Sequence, residues 1–134
     1  MNFTARRTGL LALAVTFSAG IHAALVPEHL KEMPPLGYSF IGAAVIGAAL
    51  AWALVSRPDD RRIPVLAGLF CLGQIVTWLL FVTVPIPVFS GTPEPVETIA
   101  LVSKAVELYG FAIALSLATS RRRSGRLALS PASS

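Results

Sequence analysis

Four apolar runs follow one another along the chain, at residues 8–26, 36–56, 64–84 and 96–120. Each is close to the roughly 20 residues that a helix needs to cross the hydrocarbon of a bilayer. The connections between them are short: "PEHLKEMPP", "RPDDRR" and "PIPVFSGTPEP". A backbone in lipid must satisfy its own hydrogen bonds, so the runs predict helices. Short connections make sequence neighbours antiparallel, and the expected fold is an all-α integral membrane four-helix bundle with up-down topology. Nothing is left over for a second domain. The first run is predicted to stop at Pro27, and residues 121–134 are predicted to be a basic, disordered tail.

Composition agrees with this pattern. Of the 134 residues, 54% are hydrophobic and 13% are charged, with a mean hydropathy of +0.71. A soluble domain is typically about one quarter charged. Cys71 is the single cysteine, so no internal disulfide can form. The net charge of +4 comes from arginines flanking the apolar runs, which points to topology and not to nucleic acid. Nine of the eleven Lys and Arg residues fall on one side: Arg6, Arg7, Arg57, Arg61, Arg62, Arg121, Arg122, Arg123 and Arg126. Lys31 stands alone in the connections of the other side. Both termini are therefore expected in the cytoplasm and the protein in the plasma (inner) membrane, multi-pass, with the bilayer as its first partner. The arginine-rich tail, at Arg121 to Arg126, suits anionic lipid better than nucleic acid. The start of the chain also has the look of a secretory signal, but Ile21 fits a cleavage site poorly, so the first span is expected to be retained.

Small residues supply the packing surfaces. Ala43, Gly47 and Ala51 recur every four residues on the second span, with Gly42 beside them, and the third carries Gly68, Gly73 and Gln74. The small ones let backbones approach, and Gln74 is expected to bond across helices. The second-span stripe is also a candidate face for another membrane protein or for self-association.

The fourth span poses a problem, because "IALVSKAVELYGF" holds Lys104 and Glu107 within an apolar helix. Each charge in lipid costs about 2.5–3.5 kcal/mol, while the span's large apolar residues return about 4 kcal/mol together. The charges are therefore expected to face the bundle. At i,i+3 the two are neighbours, and Glu97 lies about 10 Å up the same face. The lysine can lean toward Glu97 by snorkelling, with Glu107 deeper, so its partner is open between the two carboxylates.

A candidate polar or ion site at the outer mouth of the bundle comprises His22, Glu28, His29, Glu94, Glu97, Lys104 and Glu107. Two histidines with carboxylates suit a divalent metal at His22, Glu28 and His29, and equally a proton relay. No defined metal-binding spacing occurs, and no nucleophile–base–orienter set is visible. Ser18, Ser39, Ser103 and Ser116 are read as packing residues. The expectation is a non-catalytic accessory or structural membrane component without a required cofactor. The alternative is a proton- or divalent-cation-responsive sensor or carrier.

"HAALVPEHLKEMPPLGYSF" after the first span, and later "TPEPVE" with "VEL", resemble a group of small four-span bacterial integral membrane proteins of unassigned function. His22, Pro27, Glu28 and His29 match the first motif of that group, and Glu94, Pro95, Val96 and Glu107 the second. The resemblance implies retention of the first span and supplies no activity. Val82 and Ala100 stand where the group commonly has an arginine and an aspartate.

Overall fold

The computed structural model describes residues 3–85 and 96–128, with side chains as far as residue 120. Four helices account for nearly all of them: α1 (Phe3–Glu32), α2 (Pro34–Ser56), α3 (Arg62–Thr83) and α4 (Thr98–Ala128). Each contains a segment long and apolar enough to cross a membrane, in α4 the stretch Thr98–Ser120.

Two predicted boundaries are corrected. First, α1 does not stop at Pro27 but carries it inside the helix and runs on to Glu32. Proline removes one N–H and leaves the carbonyl four residues back without its helical partner, yet the helix resumes beyond it. The "PEHLKEMPP" connection thus shrinks to Met33, whose N–H bonds to His29 O at 2.8 Å and whose carbonyl receives the N–H groups of Leu36 and Gly37. Pro34 and Pro35 suit the first turn of α2, where the missing N–H costs nothing. A Cβ on Gly37 would lie 2.7 Å from the Leu30 backbone nitrogen, so this hairpin needs a glycine there. Second, the backbone of α4 stays helical through the arginine run to Ala128, where alanine, leucine and arginine are all good helix formers. Residues 129–134 lie outside the described residues, as do the side chains of Arg121, Arg122, Arg123 and Arg126.

The helices stand in a square. α1 packs on α2 and on α4, α3 packs on α4, and α2 and α4 lie diagonally opposite. The fourth side, between α2 and α3, is thinly packed. Inward positions of α1 (Thr8, Leu11, Val15, Ser18, His22) and α4 (Ser103, Glu107, Gly110, Ala114, Leu117) alternate three and four apart, the period that lets two antiparallel helices keep one seam. At the end nearer Arg57, the core joins Leu11, Val15, Ala51, Leu54, Ile63, Ala67, Cys71, Ile113 and Leu117.

Small residues set these distances, though not all of those expected. Added Cβ atoms would come within 2.9 Å of Ala19 at Gly47 and within 2.8 Å of Ala114 at Gly68. Ala43 and Ala51 are buried with them. This stripe is spent inside the bundle, which corrects its reading as a face open to another protein. Gly42 and Gly73 are also corrected, because nothing lies within 4 Å of a Cβ at either position. Gly73 falls on the side of α3 turned away from Cys71 and is exposed. Gly110, not anticipated from the sequence, packs against Cys71 and Ala14.

The outside is apolar. Leu13 is 68% exposed and Trp52 74%, and Val45, Leu69, Leu108 and Leu115 also point outward. A soluble bundle does not present such a continuous greasy surface to water. The same surface suits lipid.

Candidate functional site

Glu107 is completely buried, the only acidic residue in the interior among the described residues. Its polar partners come from α4 and α1, and Lys104 ties them to α3. Ser103, one turn earlier on α4, donates its hydroxyl to Glu107 Oε1 at 2.9 Å. Ser18 of α1 donates to the same oxygen at 2.8 Å. Lys104 Nζ stands 2.5 Å from Oε2 and also donates to the backbone carbonyl of Gln74 on α3 at 3.3 Å. Oε2 makes no other polar contact, and its link to Lys104 is an ion pair without aligned hydrogen-bond geometry. Both carboxylate oxygens are therefore engaged, and the pair sums to zero charge in a place where an unpaired charge would be expensive.

His22, 6% exposed, lies one turn from Ser18 on the same face of α1. Its Nδ1 is 2.8 Å from Ser18 O. A carbonyl only accepts, so Nδ1 carries a proton. Glu107 and Lys104 both lie within electrostatic reach of the ring, and the Gln74 side chain interacts with it. The ring meets Phe40 edge-on at 5.2 Å. His29, two turns further, repeats the pattern, with Nδ1 3.0 Å from Leu25 O and its ring 4.5 Å from Phe40.

The structure brings together part of the sequence-derived set. His22, Lys104 and Glu107 cluster, and Gln74 joins them through its carbonyl. The ion pair is level with Ser18, midway along α1, which corrects its placement at the mouth. Lys104 turns to Glu107, not to Glu97, because the i,i+3 partner is one turn away while Glu97 sits exposed near the start of α4. Glu28 is exposed on the last turns of α1, and Glu94 lies outside the described residues. Among the described residues no three of His, Cys, Asp and Glu gather as a metal would require. His22, Glu28 and His29 do not form a metal site, because both imidazoles are turned onto backbone carbonyls and Phe40 while Glu28 points away.

Ser18 and Ser103 belong to the cluster through their bonds to Glu107, although their place in apolar spans pointed to packing alone. Ser103 carried a signal, since i,i+4 spacing puts it on the face of Glu107. Ser18 carried none, because its role depends on the pairing of α1 with α4.

Beside this cluster a cavity of about 340 Å³ fills the thinly packed side between α2 and α3. Phe40, Phe70, Trp78 and Phe81 wall it, while His22, Gln74, Ser103 and Lys104 supply polar groups. The chain matches no family model, no curated protein and no solved structure.

Proposed function

We propose that the chain is a non-catalytic, multi-pass component of the plasma (inner) membrane, with both termini cytoplasmic. Its buried polar cluster fixes one arrangement of the four helices. Four apolar helices with an apolar exterior support the membrane placement. The arginine bias supports the orientation.

One observation carries the structural role of the cluster. Glu107 has no exposure, and its partners are all internal to the bundle. Ser18 and Lys104 link α4 to α1 and α3, so the neutral cluster is complete only in this packing.

The test is the stability of the purified bundle carrying Glu107→Ala, Lys104→Met, or Lys104→Met with Glu107→Leu. Each single variant strands one buried charge and is expected to lose about 3 kcal/mol or more, while the apolar pair regains most of that. Single variants as stable as the parent would refute the structural role.

A second reading, a proton-responsive bundle, rests on His22. That imidazole lies within electrostatic reach of Lys104 and Glu107 on α4, and it shares the Phe40 ring of α2 with His29 of its own helix.

A further inference from the structure

We propose that the cavity between α2 and α3 binds an uncharged amphiphile from the bilayer, with a carbonyl or ester oxygen as its head and a hydrocarbon tail. The inference rests on the membrane placement proposed above and goes beyond the structural role of the cluster.

Shape comes first. About 340 Å³ is at the small end of ligand pockets. It holds a head group and the first few carbons, not a whole lipid. α1 and α4 close the back through His22 and Lys104. The front is the seam where α2 and α3 barely touch, the side on which a tail would run toward the acyl chains. The aromatic walls suit apolar contact and offer no counter-charge.

Charge then selects the head. Among the described residues Lys104 is the only cation lining the cavity, and it is already neutralised by Glu107. An anionic head would compete with Glu107 for the ammonium and leave a net negative charge in a low-dielectric interior. A cationic head would face Lys104 directly. Neutral heads incur neither penalty.

Hydrogen bonding narrows it further. An ammonium has three N–H groups. Lys104 gives one to Gln74 O and is held by Glu107 through the ion pair, which leaves N–H capacity for the cavity it lines. Ser18 and Ser103 have their hydroxyl protons on Glu107, and Ser39 donates to Leu36 O at 2.7 Å. The site therefore offers a charged donor to an acceptor oxygen, which a carbonyl or ester provides.

The two tryptophans make this measurable. Trp78 lines the cavity, while Trp52 is exposed near the Arg57 end of α2. Variants Trp52→Phe and Trp78→Phe, each left with one indole, are reconstituted in phosphatidylcholine vesicles at about pH 9, where the probe charges are fixed. Three nitroxide probes of one chain length are titrated in: 5-doxylstearate methyl ester, ionised 5-doxylstearate, and the matching 5-doxyl alkylammonium. The ester is expected to quench Trp78 saturably, at a membrane mole fraction about tenfold or more below either charged probe. Trp52 reports bulk partition and should show no saturation. Gly42→Phe, whose side chain enters the cavity without meeting an atom within 4 Å of its Cβ, is expected to abolish the saturable phase. Gly73→Phe, equally open but outside the cavity, should leave it intact. Parallel quenching of both tryptophans by all three probes, or a saturable phase that survives Gly42→Phe, overturns the lipid site alone. A Trp52 that no probe quenches overturns the membrane placement, and the site falls with it.

Discussion

The Ser18 hydroxyl of α1 donates to Glu107 Oε1 of α4 at 2.8 Å, across 89 positions of sequence. Of the contacts to Glu107 that the structure defines, this one joins two helices, whereas Ser103 and Lys104 reach it from within α4. A membrane helix keeps its own backbone bonds even when separated from its neighbours. The contacts inside α4 therefore persist in the dissociated state, and the Ser18 bond does not. Ser18→Ala is expected to cost about 1–2 kcal/mol, near the upper end for interhelical bonds in membranes because the acceptor is charged. Ser103→Ala should cost less than half as much. Reversible unfolding in mixed detergent micelles measures both, and equal losses would count against this assignment.

Gly47 and Gly73 make a matched pair. A Cβ at Gly47 meets Ala19 at 2.9 Å and Phe70 at 3.2 Å, whereas one at Gly73 meets nothing. Gly47→Leu should destabilise the bundle by about 2 kcal/mol or more through overpacking. Gly73→Leu should change stability by no more than about 0.5 kcal/mol. The same unfolding assay ranks them.

Orientation is tested by single-cysteine labelling in a Cys71→Ala background. Ser56 and Thr98 are both exposed and lie at opposite ends of the bundle. In intact cells with the outer membrane removed, an impermeant maleimide is expected to label Thr98→Cys and spare Ser56→Cys. The reverse pattern would invert the topology.

His22 separates the structural reading from the proton-responsive one. If the bundle senses protons through this ring, its unfolding midpoint shifts between about pH 8 and pH 5, the range of histidine chemistry. The shift should disappear in His22→Gln. A midpoint that is flat in the parent protein leaves the structural role alone. Zinc, copper and nickel are expected to leave the midpoint unchanged, since no three metal-ligating side chains converge among the described residues.

Much of the fold was legible in the pattern of apolar runs. The second and third helices match their runs within two residues because charged or proline-bearing segments bound them. α1 was read short at Pro27, since proline's local preference says nothing about packing that carries a helix past it. That Lys104 and Glu107 are neighbours was also legible, because i,i+3 spacing fixes proximity on any helix. The choice of Glu107 over Glu97 as the lysine's partner was not, and neither were the serines that join them.

By itself the sequence determined four apolar helices and placed Lys104 and Glu107 as neighbours on one of them, because length, hydropathy and helical spacing are local properties of a chain. Tertiary structure alone decided that Ser18 completes the coordination of Glu107, that Gly42 borders a void while Gly47 is filled, and that α2 and α3 stand apart. Those outcomes depend on the rotation and distance of one helix against another. Steric fit among residues far apart in sequence sets both.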